Sequence, residues 1–143
     1  IAGRPPEVDL ELEGAVQRLV RQAIDQGLLS SAHDSSDGGL AVALAEASIA
    51  SGLGVDLQLH HGTTSWQRCL FAEGGARIVV SADSAKVESL QVLAQSAAVP
   101  LTSLGTVTKE PRFLLRSDSS AAIDVSVSQL QQTHADAIPR RMA

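Results

Sequence analysis

The 143-residue sequence predicts an α+β fold, in which a mixed β-sheet is flanked by helices. Three observations carry this prediction. Segments with the hydrophobic period of a helix and segments with that of a strand follow one another along the chain. Their order is helix, helix, strand, short helix, strand, helix, then further strands and a last helix, which differs from regular βαβ alternation and from an all-β pattern. Aromatic residues make up only 2% of the chain, so alanine, leucine and valine must fill the core.

The first half of the chain predicts two helices and a half-buried strand. Apolar residues at helical spacing predict the helices, and strict alternation of apolar and polar residues predicts the strand. Acids suit the start of the first helix, and a glycine suits its C-terminal end. The predicted elements are a helix from Glu7 or Asp9 to Gly27, an extended segment at 28–32, a helix at 39–51 and a strand at 55–59.

The second half predicts shorter elements. Asp83 and Ser126 are the expected N-caps of its two longer helices. The side chains expected to face inward from the first of these helices are Val87, Leu90, Val92 and Leu93. The predicted elements are helical turns at 65–71, a turn at 73–75, a buried strand at 77–81, a helix at 84–98, an extended segment at 101–107, a hairpin of 113–115 with 122–125 around the polar residues 117–120, and a helix from Val127 to 138–139.

Composition and charge narrow the classes of function. The net charge of −5 argues against nucleic acid as the main partner, because phosphate binding needs a basic surface. No apolar run is long enough to span a membrane. The single cysteine, Cys69, forms no internal disulfide, so a cytoplasmic location is expected. We expect residues 1–8 to be the end of a linker and residues 9–143 to form one domain of a longer protein, since the chain begins with isoleucine.

A polar, glycine-containing loop before the second helix is the strongest candidate site. The start of a helix presents unpaired backbone N–H groups and a positive dipole end, which favour an anion such as phosphate. Two aspartates would repel a bare anion unless a metal ion or another cation intervened. A structural turn in which Asp37 caps the helix is an equally good interpretation. The candidate nucleotide- or phosphate-binding residues are His33, Asp34, Ser36, Asp37, Gly38 and Gly39.

Other residues make weaker candidates. Glu73, Gly74 and Gly75 precede a predicted strand and form a secondary candidate, although a plain turn is favoured there. The adjacent His60 and His61 are expected in a solvated loop, because no further metal ligand lies at suitable spacing. A buried, inert thiol is expected for Cys69 and a surface position for His134. No catalytic triad, phosphate-binding loop of the Walker type or dinucleotide fingerprint is visible.

Several motifs resemble the C-terminal domain of the phosphoribosylformylglycinamidine synthase large subunit family, within the aminoimidazole ribonucleotide synthetase superfamily. The resemblance spans nearly the whole chain and is most specific in the loop His33-Asp34-Ser35-Ser36-Asp37-Gly38-Gly39-Leu40. It continues in Gly52-Leu53-Gly54, Leu70-Phe71-Ala72-Glu73, Arg77-Ile78-Val79-Val80, Leu104-Gly105-Thr106-Val107 and the closing Ala137-Ile138-Pro139-Arg140-Arg141-Met142. It implies a mixed sheet flanked by helices with partial likeness to a ferredoxin-like arrangement.

The resemblance also implies an activity for the whole enzyme. Such an enzyme converts formylglycinamide ribonucleotide to formylglycinamidine ribonucleotide in purine synthesis, with ATP and Mg²⁺ and with ammonia from glutamine. Its implied partners are the N-terminal domains of the same enzyme, a glutaminase subunit and a small accessory subunit. The loop would line an auxiliary nucleotide or phosphate site, with Mg²⁺ reaching Asp34 or Asp37, and no catalytic residue carries over to this chain.

The sequence departs from the family pattern in two places. Glu73-Gly74-Gly75 stands where the family often has Glu-Ser-Gln, so a hydroxyl and an amide are missing from the place where the other half of such enzymes contacts substrate. Ser35 replaces a residue that is usually apolar, a minor change on a loop expected to be exposed. The alternatives that stay open are a stand-alone nucleotide- or phosphate-binding module, an interaction module, and the C-terminal domain of another member of the superfamily.

Overall fold

The computed structural model describes residues 8–117 and 120–137. They fold into two compact units: residues 8–43 with 71–103, and residues 44–70 with 104–117 and 120–137. None of the helices in this part of the chain combines the length and the apolar character that crossing a membrane requires. The elements are α1 (Leu10–Asp25), β1 (Ser31–Asp34), α2 (Gly39–Ser51), β2 (Gly54–Leu59), α3 (Trp66–Phe71), β3 (Ile78–Ser81), a 3₁₀ helix (Ser84–Lys86), α4 (Val87–Ser96), β4 (Gly105–Thr108), β5 (Arg112–Ser117), β6 (Ser120–Ser126) and α5 (Val127–Asp136).

Helix α1 begins and ends at the residues that its sequence signals predict. The Asp9 carboxylate accepts hydrogen bonds of 3.0 Å from the backbone N–H groups of Glu11 and Leu12. At the other end Gly27 adopts a φ of +63°, and the following N–H of Leu28 donates to the Ala23 carbonyl, which closes the last turn. The apolar side of α1 packs against α4 in a cluster of buried residues: Val16, Leu19, Ala94 and Val99.

Strands β1 and β3 form a two-stranded antiparallel sheet in the first unit. Ser31 pairs with Ser81 and Asp34 with Ile78. The prediction of a loop starting at His33 was wrong by two residues, because pairing with β3 draws His33 and Asp34 into the strand. Strand β3 was predicted to be buried, yet all four of its residues are half-buried. Its only neighbouring strand in the described part of the chain is β1.

The inward face of the predicted third helix was partly wrong. Asp83 caps a 3₁₀ turn rather than the helix itself, accepting from the Ala85 N–H at 3.2 Å, and α4 starts only at Val87. Leu90 and Ala94, four residues apart, face the core. Val92 is 58% exposed, because two residues along a helix rotate a side chain about 200° away. Val87 is exposed as well.

The second unit contains the predicted mixed sheet, with strand order β4-β2-β5-β6. Strands β2 and β5 run parallel, and the other two pairs are antiparallel. Alternate residues of the central strands are buried, as a sheet with one core-facing side requires. The buried apolar residues on these two strands are Val55, Leu57, Leu59, Phe113 and Leu115.

The predicted hairpin and last helix are confirmed within the described residues. Strands β5 and β6 pair over more residues than predicted, from Arg112 with Ser126 to Ser117 with Ser120. Ser126 caps α5 through a capping box with Gln129, in which each side chain accepts from the other residue's backbone N–H. The polar turn at 118–119 and the predicted helix end at 138–139 lie outside the described residues.

The cross-strand ion pair between Arg112 and Asp124 makes stability depend on pH. Two of the guanidinium nitrogens, Nε and Nη2, each donate to one carboxylate oxygen at 2.7 Å, and this hydrogen bonding lowers the pKa of Asp124 from its ordinary value of 3.8. A lowered carboxylate pKa adds stability that is fully present above the unfolded-state pKa and is lost as the pH falls through the folded-state pKa.

We therefore expect the free energy of unfolding of Asp124→Asn to depend less on pH in the acidic range than that of the wild type. Urea unfolding at pH values from about 2 to about 7 covers the range over which carboxylates titrate, and it gives the free energy of unfolding of each variant at each pH. The wild-type chain should lose its advantage over Asp124→Asn at pH values below about 3.8. Asp25→Asn, which removes an exposed aspartate at the end of α1, is the control. A constant difference between wild type and Asp124→Asn at every pH would contradict the assignment.

Candidate functional site

The predicted loop is a tight turn between β1 and α2. Ser35 donates its backbone N–H to the Arg77 carbonyl at 2.9 Å, which extends the β1–β3 pairing by one bond. The Gly39 N–H donates to the Ser36 carbonyl at 3.0 Å and closes the turn. Gly38 adopts a φ of +78°, and a Cβ atom there would overlap the Val42 side chain. Glycine is therefore required at position 38 both by the backbone conformation and by the first turn of α2.

The polar side chains of this loop bind mainly to one another. The Ser36 hydroxyl donates to the Asp34 carboxylate at 2.9 Å. The ring Nδ1 of His33 lies 2.7 Å from the Asp34 carbonyl oxygen and 4.0 Å from its carboxylate. The Asp34 side chain is 74% exposed. Asp37 is exposed as well, so the loop presents two aspartates to solvent, and the carboxylate of Asp34 already accepts a hydrogen bond from Ser36.

Glu73 brings the two predicted candidate segments together. Its carboxylate accepts a hydrogen bond of 3.1 Å from the Gly38 backbone N–H, 35 residues earlier in the chain. The carboxylate that reaches this end of α2 therefore comes from Glu73, whereas the sequence suggested Asp37 as the cap. Sequence spacing contained no signal for this contact, because it depends on the pairing of β1 with β3. The Arg77 guanidinium donates a hydrogen bond to the carbonyl of Ala72, the residue before Glu73.

The two glycines after Glu73 are not needed for the turn. A Cβ at Gly74 would meet no atom within 4 Å, and one at Gly75 would meet only the flexible carboxylate end of Glu13. The left-handed residue of this segment is Ala76, with a φ of +57°. The chain bends at residues 75 and 76, so the turn predicted at residues 73–75 lies about one residue later in the structure.

The acidic residues of the loop do not form a metal cage. Across residues 8–117 and 120–137, no group of three or more histidine, cysteine, aspartate or glutamate side chains is arranged to hold a metal ion. Mg²⁺ in nucleotide sites is commonly held by one or two carboxylates together with phosphate oxygens. Asp34 and Asp37 fit a metal ion that arrives with a phosphate group better than a metal ion bound by protein alone.

Ser35 is buried, which corrects the expectation of an exposed position. It is 5% exposed, and its hydroxyl has no hydrogen-bond partner among the described residues. The signal for this burial was the resemblance, which implies an apolar residue at position 35. An unpaired hydroxyl in such a place costs stability, since it loses its bonds to water without replacing them.

We expect Ser35→Ala to raise the free energy of unfolding by about 1 kcal/mol, because it removes the unpaired buried hydroxyl. Urea unfolding measures the change. Ser36→Ala is the matched control at the next position, and it should change stability by no more than about 0.5 kcal/mol because Ser36 is exposed. A loss of stability in Ser35→Ala would show that the hydroxyl has a partner in solution.

The other predicted candidates lie outside the loop. His60 is exposed after β2, and the His61 ring nitrogen bonds to the Thr64 carbonyl, as expected for a loop. Cys69 is half-buried on α3, where a buried thiol was expected. His134 is exposed in the last turn of α5, in agreement with the prediction. Among the residues that the structure describes, none of them belongs to a group of three or more histidine, cysteine, aspartate or glutamate side chains that could hold a metal ion.

A family model and two relatives match this chain over most or all of its length. The model of the family described as AIR synthase related protein, C-terminal domain, matches residues 2–117. The chain is 58% identical over 144 residues to the phosphoribosylformylglycinamidine synthase subunit PurL of Synechococcus sp. strain CC9902, and 50% identical over 142 residues to that of Parasynechococcus marenigrum. These alignments cover 100% and 99% of this chain but only 19% and 18% of the relatives, so the chain spans about a fifth of their length.

Solved structures show the same fold at lower sequence identity. The crystal structure of phosphoribosylformylglycinamidine synthase II from Thermotoga maritima superposes with a TM-score of 0.79 over 87% of this chain and 22% of its own, at 19% identity. A structure described as T. maritima PurL complexed with ATP gives a TM-score of 0.78 over 86% of this chain and 22% of its own, at 20% identity. With the family match over residues 2–117, these findings show that the chain belongs to the family of AIR synthase related C-terminal domains.

Proposed function

We propose that this chain is the C-terminal domain of a phosphoribosylformylglycinamidine synthase large subunit. The observation that carries the proposal is the 58% identity over the whole chain to a curated subunit of that name. The complete enzyme would be an ATP-dependent ligase of purine synthesis that converts formylglycinamide ribonucleotide to formylglycinamidine ribonucleotide. The domain would act as residues 9–143, with residues 1–8 as the end of a linker, in a cytoplasmic enzyme.

Within that enzyme we assign this domain a supporting role. The candidate site consists of a helix start closed by the Glu73 carboxylate and of the exposed Asp34, whose carboxylate accepts a hydrogen bond from the Ser36 hydroxyl. Gly74 and Gly75 stand where the resemblance implies serine and glutamine, so the hydroxyl and the amide of those two residues are missing. Few polar groups therefore remain in position to bind a substrate. The domain would complete the second half of the enzyme and contribute its loop to an auxiliary site.

The proposed cofactor of the whole enzyme is ATP with Mg²⁺. Structures described as T. maritima PurL complexed with ATP and with ADP support nucleotide binding by such proteins. The proposed partners are the N-terminal domains of the same subunit, a glutaminase subunit and a small accessory subunit. A structure described as PurLQS from T. maritima supports an assembly of several subunits.

An activity assay on the 143-residue chain tests the supporting role. We expect no ATP-dependent formation of formylglycinamidine ribonucleotide from formylglycinamide ribonucleotide and ammonia. The full-length Synechococcus CC9902 subunit is the matched positive control. Turnover by the 143-residue chain would contradict the proposal that it is inactive without the other domains.

A second candidate function is binding of a nucleotide or ribose phosphate by the loop itself. The loop geometry favours it, because α2 starts at the second of two glycines with positive φ, Gly38 and Gly39, and Asp34 is open to solvent. The proposed binding residues are His33, Asp34, Ser36, Asp37, Gly38 and Gly39, with Mg²⁺ bridging Asp34 or Asp37 to phosphate oxygens. Titration calorimetry with ADP and Mg²⁺ tests this candidate, and the absence of heat at millimolar ligand would contradict it.

A further inference from the structure

The turn between β1 and α2 contains the only Asp-Gly pair of the sequence, Asp37-Gly38, and the sequence contains no asparagine. An aspartate followed by glycine is prone to isoaspartate formation, because glycine has no Cβ atom to shield its backbone nitrogen. Asp37 is exposed, and its carboxylate has no hydrogen-bond or ion-pair partner among the described residues. The carboxyl group that this modification requires is therefore available.

Isoaspartate formation at this pair would need no reactant other than water. The Gly38 nitrogen attacks Cγ of the protonated Asp37 side chain, and the new N–Cγ bond closes a succinimide ring. The amide hydrogen and the carboxyl hydroxyl leave together as water. Water then adds to one of the two ring carbonyls. Cleavage of the N–Cγ bond restores aspartate, whereas cleavage of the original peptide C–N bond leaves a chain that runs through Cβ and Cγ of residue 37.

The observed turn keeps the two reacting atoms apart. The Gly39 N–H donates to the Ser36 carbonyl at 3.0 Å, and Gly38 has a φ of +78°. Because Asp37 does not adopt a positive φ, this is a type II turn with Asp37 at its second position. The ψ of about +120° at that position directs the following nitrogen away from the side chain. Ring closure therefore requires a rotation about the Cα–C bond of Asp37, which opens the turn.

Glu73 holds the nitrogen that would attack. Its carboxylate accepts the hydrogen bond of the Gly38 N–H at 3.1 Å, and this bond fixes the orientation of the peptide group between residues 37 and 38. The negative charge of Glu73 also opposes loss of the amide proton, because a nearby like charge disfavours the ionised form. The rate of ring closure therefore depends on how often the contact between Glu73 and Gly38 opens.

Asp34 provides a comparison within the same loop. Its side chain is 74% exposed, so exposure alone does not distinguish it from Asp37. The residue that follows it is Ser35, which has a Cβ atom, and the Ser35 N–H donates to the Arg77 carbonyl at 2.9 Å. That bond extends the pairing of β1 with β3. We therefore expect Asp34 to remain unmodified under conditions in which Asp37 reacts.

We propose that Asp37 is a site of isoaspartate formation and that the Glu73 carboxylate protects it by holding the Gly38 nitrogen. The product adds one methylene to the backbone between residues 37 and 38, which disrupts the type II turn and the start of α2. It also carries a free α-carboxylate beside a β-linked peptide bond. That group is the substrate of methyltransferases that repair isoaspartate, so an enzyme of this class is the partner that the modified turn fits.

Ageing of the 143-residue chain at neutral pH, followed by peptide mapping with mass spectrometry, tests the site and its protection. Wild type, Glu73→Ala and Asp37→Glu are compared, with Glu88→Ala as control because Glu88 is exposed in the first turn of α4. We expect isoaspartate at residue 37 to accumulate about tenfold faster in Glu73→Ala than in wild type or Glu88→Ala, in keeping with the loss of one charge-assisted bond. Asp37→Glu should form none, because its longer side chain does not close the succinimide ring.

The outcomes separate the site from its protection. Absence of isoaspartate at residue 37 in both Glu73→Ala and urea-unfolded wild type would overturn the site. Equal rates in folded wild type and Glu73→Ala would overturn the protective role of Glu73 while leaving the site in place. Isoaspartate at Asp34 to the same extent as at Asp37 would overturn the selection of this site by Gly38.

Discussion

Replacing Gly54 by alanine is expected to lower the free energy of unfolding by at least about 3 kcal/mol, the upper end of overpacking costs. Gly54 starts β2, at the point where β2 meets both β4 and β5. A Cβ atom there would overlap the Glu110 carbonyl oxygen and would lie 2.6 Å and 2.7 Å from the backbone oxygen and nitrogen of Arg112. All of these are backbone atoms, so relief requires the strands to move apart. A domain with a stability of about 5–15 kcal/mol loses much of it in that way.

Gly52→Ala is the matched control for Gly54→Ala. Gly52 has a φ of +69°, but a Cβ atom at this position would meet nothing within 4 Å, so only the backbone strain of about 1 kcal/mol is expected. Urea unfolding followed by circular dichroism gives both values. Equal losses in the two variants would show that the close approach of the strands at Gly54 does not exist in solution.

The second large effect is expected from Phe113→Ala, which should lower the free energy of unfolding by about 3–5 kcal/mol. Phe113 is 1% exposed on β5. Its partners in the sheet are Val55 on β2 and Val125 on β6, so Phe113 lies on a strand that is paired with another strand on each side. With only three aromatic residues in the chain, no other described core side chain supplies a ring to fill the resulting cavity.

Phe71→Ala provides the control for loss of a phenyl ring, because Phe71 is 50% exposed at the end of α3. Its replacement should cost less than about 1 kcal/mol. Thermal unfolding of the two variants side by side measures the difference. Similar losses would contradict the assignment of Phe113 to the core of the mixed sheet.

Elements with local signals were predictable from the sequence. Helix α2 was predicted at residues 39–51 and is found at Gly39–Ser51, because it starts at the second of two consecutive glycines and a glycine follows its last residue. The cap at Ser126 was predicted because Gln129 stands three residues later. In both cases the information lies within a few residues of the boundary, so no knowledge of the rest of the fold is needed.

Features that depend on distant contacts were not predictable. Val92 was expected to face inward, but the buried residues of α4 are Leu90 and Ala94, and Ala94 lies in the cluster that α4 forms with α1. The separation of β1 and β3 from the mixed sheet is likewise a matter of tertiary pairing. A run of apolar residues such as 78–80 indicates a strand but does not say how many neighbours that strand has.

The candidate site shows the same division. The loop and its glycines were predicted, and Gly38 is indeed a position that only glycine fits. The sequence did not show that Glu73 would reach the helix start, since 35 residues separate it from Gly38. The burial of Ser35 was missed for a related reason, because a polar residue in a polar stretch indicates exposure unless a family pattern says otherwise.

Domain exchange with a relative tests the central claim most directly. The 144-residue stretch of the Synechococcus CC9902 subunit that aligns with this chain would be replaced by these 143 residues, at 58% identity. The chimera would be assayed for ATP-dependent formation of formylglycinamidine ribonucleotide. It would also be tested for its ability to support growth, without added purines, of a strain that lacks this enzyme.

The same chimera carrying Gly54→Ala is the control that shows whether activity requires the domain to be folded. We predict activity in the chimera and its loss in the Gly54→Ala version. A folded chimera without activity or growth would contradict the assignment of this chain as the C-terminal domain of the synthase.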